Sequence, residues 1–207
     1  KTTVQLFIAA MLSRFGVKQV FFDYGRGSEV FCYAMGGKFI NFTMGKPTGF
    51  NPFHMDETPT NILFATTLVK RLALKTGGAM TQHHETQLER AVEMVFRLPK
   101  EIRRLARVLD YVDHSDREGI AKRLARWIEG GPMGWLWDNA VDTIDFERTI
   151  TGFNIQHFID NEEIRGEVMM YLFHRLGDII GKGRVAVSLG EFWKALDDPH
   201  FSGWVEK

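Results

Sequence analysis

Short runs of β-branched and aromatic residues alternate with helical patterns at both ends of this 207-residue chain. The strand patterns VKQVFFDY (17–24) and KFINF (38–42) are separated by a short helical stretch that two glycines close. RTITGFNI (148–155) and RVAVSL (184–189) flank a second helical pattern at 162–176 in the same way. This alternation predicts an α/β fold with a largely parallel sheet built from crossover units.

The sequence patterns near the two ends of the chain also predict which elements are buried. Residues 2–15 are apolar on nearly all sides, which indicates a helix that is buried on most of its surface against a sheet. RVAVSL contains few polar side chains, as expected of a strand buried on both faces of a parallel sheet.

The middle of the chain has a different pattern. Thr58 and Pro59 form a helix start, a second helix follows Thr81, and Ser115 to Glu118 reads as the capping box of a third. No strand pattern occurs between about 58 and 140. We therefore expect a core in two parts, 1–57 and 143–207, with an all-helical insertion or subdomain over 58–142.

Composition limits the classes of partner. The chain has 26 Lys and Arg against 26 Asp and Glu, so its net charge does not favour nucleic acid or an anionic membrane. A single cysteine, Cys32, excludes an internal disulfide and fits a reducing compartment. No apolar run approaches the length of a membrane span. Because the chain does not begin with Met, we expect it to be a fragment of a longer protein.

Lys1, Thr2 and Thr3 stand directly before the apolar stretch VQLFIAAMLSRF. A phosphate-binding loop, G-x-x-x-x-G-K-[ST], ends in the same Lys-Thr pair where it enters its helix. The glycines that carry most of this motif's specificity are not in the chain, so the pair alone is weak evidence. The hypothesis of a truncated phosphate-binding loop requires a second signal elsewhere.

RVAVSLGE (184–191) supplies a strand that ends in an acidic residue. Nucleotide hydrolysis needs one carboxylate to hold the hydrated Mg²⁺ and another to orient the attacking water. The usual pattern is four apolar residues followed by Asp and Glu, but here Gly190 occupies the Asp position and Glu191 the Glu position. Either the site works with Thr2, Glu191 and the phosphates of the nucleotide, or the ATPase is weakened.

Six segments carry a resemblance to a known family: VFFDYGRGSEVF, GGKFINF, PTGFNPF, RLARWIEGGPMGWLWDN, MMYLFHRL and EFWKALDDPHF. In this order, over almost the whole chain, they resemble the CagE/TrbE/VirB family. Its members are the large cytoplasmic ATPases that energise bacterial type IV secretion and conjugation machines. With this context, the phosphate-loop interpretation of Lys1 and Thr2 becomes the favoured one.

The resemblance implies a RecA-like P-loop NTPase core with a helical insertion, with ATP and Mg²⁺ as cofactors. It implies that Lys1 neutralises β- and γ-phosphate charge, that Thr2 ligates Mg²⁺ through its hydroxyl, and that Thr3 contacts a nearer phosphate. Glu191 would polarise the attacking water. Lys1 and Glu191 are thus the expected catalytic residues.

Asp23 and Arg26 belong to DYGRG, with Asp23 at the carboxyl end of the strand pattern at 17–24 and Arg26 just beyond it. Ligands of open α/β sheets collect beyond the carboxyl ends of the strands. We therefore count both residues as candidates for the nucleotide site or for a subunit interface.

The family also implies partners and a location. The expected assembly is a hexamer or a dimer-based oligomer at the cytoplasmic face of the bacterial inner membrane. Other inner-membrane components and ATPases of the secretion system would be its partners. DNA is a further partner that conjugation allows, although the balanced charge does not indicate it.

Two other functions stay open. A DNA-pumping coupling protein or FtsK-like translocase would share the core, but the balanced charge and the GFNPF and WIEGGPMG segments argue against it. A structural subunit that binds nucleotide with impaired hydrolysis is the second alternative, and Gly190 supports it because glycine offers no oxygen to Mg²⁺.

Overall fold

A computed structural model describes residues 2–116 and 119–190 of the chain. The chain divides into two compact units. The first is formed by the two ends of the chain, Lys1–Met44 and Asp145–Lys207, and the second by the intervening segment, Gly45–Ile144.

The first unit contains a sheet of four described strands: β1 Lys18–Asp23, β2 Lys38–Asn41, β3 Ile150–Asn154 and β4 Val185–Leu189. Their order across the sheet is β2-β3-β1-β4, and every neighbouring pair is parallel. Strand β1 lies between β3 and β4, with Gln19 opposite Ile150 on one side and Ala186 on the other. The predicted α/β class with a parallel sheet is confirmed.

Helices pack on both faces of this sheet: α1 Thr2–Ser13, α2 Glu29–Ala34, α7 Gln156–Ile159 and α8 Arg165–Ile180. On one face, Phe21 of β1 belongs to a buried cluster with members from α1, α2, β2 and β3: Ala9, Cys32, Phe39 and Ile150. On the other face, the ring of Phe22 stacks on Phe153 and on Phe173 of α8. The alternation of side chains along β1 thus serves two helical layers.

The prediction that α1 is buried on most sides is wrong. Within α1 only Ala9 is buried, while Val4 and Phe7 are both 64% exposed. One stripe of α1 meets the sheet, where the side-chain amide of Gln19 donates to the carbonyl of Ala9 at 2.9 Å. Leu6 also packs against the cluster at the sheet, whereas Val4, Phe7 and Met11 are exposed.

The burial predicted for the strand at 184–189 is also wrong. In the described sheet β4 has one neighbour, β1, and its residues are half-buried, with Val187 36% exposed. An apolar sequence allows a strand to be buried, but the number of strands beside it determines whether it is buried in the folded protein.

The second unit contains helices and no strand within its described residues. Its α-helices are α3 Pro59–Lys75, α4 Gln82–Phe96, α5 Ile120–Leu124 and α6 Gly134–Trp137. Segments of 3₁₀ helix lie before α3, between α4 and α5, and between α5 and α6. The predicted starts of α3 and α4 are confirmed, because the hydroxyls of Thr58 and Thr81 accept hydrogen bonds from the amides of Asn61 and His84.

The third helix of this unit begins later than its sequence indicates. Helix α5 follows Gly119, and the hydroxyl of Ser115 instead donates to the carboxylate of Asp113 at 2.9 Å. Asp113 also accepts from the amide of Ser115, so a local turn engages the serine that was expected to cap the helix. Glu118, the other half of the expected capping box, lies outside the described residues.

The two ends of the helical unit meet each other. The amide of Thr143 donates to the carbonyl of Gly49 at 2.8 Å. Gly49 has a φ of +74°, and a Cβ there would lie 1.9 Å from Oγ1 of Thr143. The glycine of PTGFNPF is therefore required for both its conformation and its close contact.

None of the helices in the described ranges is long and apolar enough to cross a membrane.

Substitution of Gly49 tests this closure. Gly49→Ala is expected to lower the free energy of unfolding by about 2–4 kcal/mol, since it combines positive-φ strain with an overlap on Thr143. Gly45→Ala is the matched control, because Gly45 also has a positive φ of 78° but no atom within 4 Å of the added Cβ. The control should lose only about 1 kcal/mol in urea unfolding. Equal losses would contradict the packing role of Gly49.

The buried cluster predicts the reactivity of the cysteine. Burial raises the pKa of the Cys32 thiol to about 11, so about one thousandth of it is thiolate at pH 8. Native protein is expected to resist alkylation by iodoacetamide at pH 8, and urea-unfolded protein to react fully, as followed by mass spectrometry. Fast alkylation without unfolding would contradict the buried position of Cys32.

Candidate functional site

The carboxyl ends of β1 and β4 and the first turn of α1 enclose a small cavity. Its volume is about 120 Å³, and its lining includes Thr2, Asp23, Ser28 and Gly190. Parallel strands bring their carboxyl ends to one edge of a sheet, and an open α/β sheet binds ligands at that edge. This cavity is therefore the candidate site.

Asp23, the last residue of β1, is held in a fixed orientation. Its Oδ2 accepts hydrogen bonds from the amide of Ser28 at 2.6 Å and from the hydroxyl of Ser28 at 2.8 Å. Its backbone carbonyl accepts from the amide of Ile155 at 2.9 Å. The hydrogen bonds from Ser28 thus fix the turn between β1 and α2 around the Asp23 carboxylate, which faces the cavity.

Gly190 follows β4 and continues the pairing with β1. Its amide donates to the carbonyl of Phe22 at 2.7 Å. A Cβ at this position would lie 3.0 Å from the amide nitrogen of Tyr24 and 3.2 Å from the carbonyl oxygen of Phe22. A larger residue at 190 therefore requires a shift of a few tenths of an ångström in the adjoining backbone.

Thr2 and the first turn of α1 lie against the same edge. The methyl group of Thr2 is 3.6 Å from the position that a Cβ at Gly27 would take, so Thr2 is next to the turn after β1. One turn further along α1, the side-chain amide of Gln5 donates to the hydroxyl of Ser188 in β4. The amino end of α1, whose dipole favours anions, is thereby tied to the strand that ends at the cavity.

Thr3 and Arg26 are not among the residues that line the described cavity. Thr3 is exposed. The guanidinium of Arg26 is directed to Glu29, which also accepts from the side-chain amide of Asn41 at 3.0 Å. The hydrogen bond from Arg26 lowers the pKa of the Glu29 carboxyl.

Lys1 and Glu191 lie outside the residues that the structure describes. Their neighbours in the chain, Thr2 and Gly190, both line the cavity. Of the residues predicted from sequence, the structure thus brings Thr2 and Asp23 together, along with position 190.

The polar residues that organise this edge were not predicted from the sequence. Ser28 orients Asp23, and Asn154 at the end of β3 accepts from the amide of Gly25 at 3.2 Å. Asn154 also donates to Oδ1 of Asn41, the last residue of β2. A signal was present, because the strand patterns KFIN and ITGFN both end in asparagine.

The donors at the cavity suit Mg²⁺. This hard cation binds oxygen, keeps several of its waters and often takes only one or two protein ligands beside phosphate. The hydroxyl of Thr2 and the carboxylate of Asp23 are oxygens of that kind. Within the described ranges, no three or more His, Cys, Asp or Glu residues are grouped so that they could hold a metal ion by themselves. A magnesium ion here would therefore depend on phosphate oxygens as further ligands.

A second, larger cavity of about 560 Å³ lies within the helical unit. Its polar side chains serve the packing of that unit: Asp138 accepts from the amides of Ala106 and Glu129, and Asn139 donates to the carbonyl of Phe50. Gly134, which also lines this cavity, lies against the backbone of a neighbouring segment, because a Cβ there would lie 2.1 Å from the carbonyl oxygen of Ile128. Local packing therefore explains these residues without a ligand.

Comparison with known proteins gives one consistent group of relatives. No model of a known protein family matches the chain. The chain is 36% identical over 207 residues to the type IV secretion system protein virB4 of Bartonella quintana, with 100% of the chain and 26% of that protein covered. It is 37% identical over 220 aligned positions to virB4 of Brucella suis, with coverage of 98% and 26%. The type IV secretion system protein PtlC of Bordetella pertussis is 32% identical over 217 positions, with the same coverage.

A solved structure of VirB4 from Thermoanaerobacter pseudethanolicus has the same fold. Its TM-score is 0.74 at 16% sequence identity, and the match covers 99% of this chain and 61% of that one. The chain spans about a quarter of the length of the curated relatives it matches.

The hydrogen bonds of Asp23 predict local protection from exchange. Asp23→Ala should speed hydrogen exchange in peptides spanning residues 24–31 by about tenfold, because a buried amide loses a charged acceptor worth about 1.5 kcal/mol. Asp23→Asn should stay close to the wild type, since the amide oxygen of asparagine can accept from Ser28. Mass spectrometry measures both, and unchanged exchange in Asp23→Ala would contradict the closed turn.

Proposed function

The chain belongs to the VirB4 family of type IV secretion system proteins, and from that premise we propose that it is the nucleotide-binding part of a secretion ATPase. The enzyme would couple ATP binding and hydrolysis to pilus assembly and to the transport of DNA or protein substrates. The observation that carries the proposal is the cavity where the amino end of α1 meets the carboxyl ends of β1 and β4.

The phosphates of ATP are assigned to the start of α1. Lys1 would neutralise charge on the β- and γ-phosphates, and Thr3 would contact a phosphate nearer the ribose. The amino end of a helix supports both roles, because its unpaired amides and its dipole attract anions. Thr2, which lines the cavity, is the proposed hydroxyl ligand of Mg²⁺.

Held by the hydroxyl of Thr2, Mg²⁺ would offset the negative charge on the transferred phosphoryl group. Glu191 is the proposed group that orients the attacking water and would accept its proton. The new bond from the water oxygen to the γ-phosphorus would form as the bond to the β,γ-bridging oxygen breaks and ADP leaves. The fixed edge of β1 and β4 would hold the reacting groups in register, which supplies much of the rate in phosphoryl transfer.

The proposed assembly is an oligomer, a hexamer or one built from dimers, at the cytoplasmic face of the inner membrane. Other ATPases and inner-membrane components of the secretion system are its proposed partners. The balance of 26 basic and 26 acidic residues supports protein partners over non-specific DNA binding.

One observation favours a second function. Gly190 stands where a magnesium-binding carboxylate is expected, and glycine offers no oxygen to the ion. A subunit that binds nucleotide and hydrolyses it slowly, acting as a structural platform, is the alternative that this residue supports.

Hydrolysis by the full-length protein tests the proposal. The unaltered protein is expected to hydrolyse ATP in the presence of Mg²⁺, and Glu191→Gln should lower kcat by about 100-fold or more, because the group that accepts the proton is lost. Phosphate release measures both. Glu147→Gln, at an exposed position of the same unit, is the matched control and should keep the wild-type rate.

Two other results separate the alternatives. Nucleotide binding without turnover, together with activity in Gly190→Asp, would establish the structural platform instead of the ATPase. Strong stimulation of turnover by DNA would favour a translocase.

A further inference from the structure

We infer that Asp23 supplies, from the neighbouring strand, the magnesium-facing carboxylate that position 190 lacks. The inference rests on the proposed function, because it concerns the metal that accompanies the bound nucleotide. It adds to that function a residue whose role the pattern of the strand at 184–189 does not reveal.

Strand pairing places Asp23 beside Gly190. Phe22 of β1 is opposite Leu189 of β4, so the next residues of the two strands, Asp23 and Gly190, are neighbours. In a parallel pair, residues at matching positions direct their side chains to the same face of the sheet. Asp23 therefore occupies the face to which a side chain at position 190 would belong.

That face is the one covered by α1. Phe21 lies two residues before Asp23 on the same side of β1, and it packs against Ala9 of α1. Asp23 and Thr2 accordingly line one cavity of about 120 Å³. Since a water molecule takes about 30 Å³ in the liquid, this volume is of the right order for a magnesium ion with part of its water shell.

The carboxylate of Asp23 has one oxygen fixed and the other available. Oδ2 accepts both hydrogen bonds from Ser28, whereas Oδ1 accepts none from any residue in the described ranges. Hydrogen bonding of one carboxylate oxygen to its surroundings orients the other toward a metal or its water. Asp23 is thus prepared for a ligand in the cavity and not only for closing its own turn.

The other carboxylates of this edge have different partners. Glu29 pairs with Arg26 and accepts from Asn41, and Asp160 accepts from the hydroxyl of Tyr24 at 2.8 Å. Neither lines the cavity, so Asp23 is the sole carboxylate among its described lining residues. Asp160 consequently offers a matched control for the loss of one negative charge at the same edge.

Metal affinity tests the inference independently of turnover. In the full-length protein with a non-hydrolysable ATP analogue, Mn²⁺ binding is measured by electron paramagnetic resonance. Asp23→Asn should weaken Mn²⁺ binding by about 10- to 100-fold, while the affinity for the analogue without metal is retained. Asp160→Asn should change the Mn²⁺ affinity less than about twofold.

A second variant tests the relation between the two positions. Gly190→Asp in the Asp23→Asn background should restore at least part of the Mn²⁺ affinity, because it returns a carboxylate to the same face. The hydrogen-exchange pattern of residues 24–31 shows whether Asp23→Asn keeps its turn, so that a lost turn is not mistaken for a lost ligand.

The possible outcomes distinguish a failure of the role assigned to Asp23 from a failure of the proposed nucleotide-binding function. Wild-type Mn²⁺ affinity in Asp23→Asn, with analogue bound, would overturn the role of Asp23 and leave the nucleotide site standing. Failure of the unaltered protein to bind the analogue with or without Mn²⁺ would overturn the proposed function, and the inference with it.

Discussion

The parallel pairing of β1 with both β3 and β4 is the interaction on which the first unit depends. It joins three segments that are far apart in the chain, and it buries the apolar side chains on both faces of β1. The same pairing sets the positions of Asp23, Asn154 and Gly190 at one edge of the sheet. A slip of one residue would turn Asp23 to the opposite face, so the register that builds the core also builds the candidate site.

Long-range pairing of this kind requires that the intervening chain return to its starting point. The helical unit does so through the hydrogen bond between Thr143 and Gly49, at its two ends. Its interior is stabilised by buried Trp127 and Trp137 and by the fully buried side chain of Asn51, which bonds to the backbone at three places. Since each closed loop costs entropy, a compact insertion with adjacent ends lowers the cost of pairing β2 with β3.

Several parts of the site could be predicted from sequence because their signals are local. Thr2 follows a lysine at the head of an apolar helix, and Asp23 ends a strand, so both were placed at the edge where ligands collect. Arg26 has the same sequence signal, but the structure directs it to Glu29 and away from the cavity. Ser28 was missed since a serine in a turn has no pattern that shows which side chain it will orient.

The burial of α1 and β4 could not be predicted from local sequence signals either. Both sequences are apolar, but exposure depends on how many neighbours an element has in the folded protein, which its own residues do not encode. By itself, the sequence determined the α/β class, the parallel sheet, the strand ends and the family resemblance, because periodicity, caps and turn residues are local properties. Only the tertiary structure decided that Asp23 lies beside Gly190, since that proximity arises from the register of two strands more than 160 positions apart in the chain.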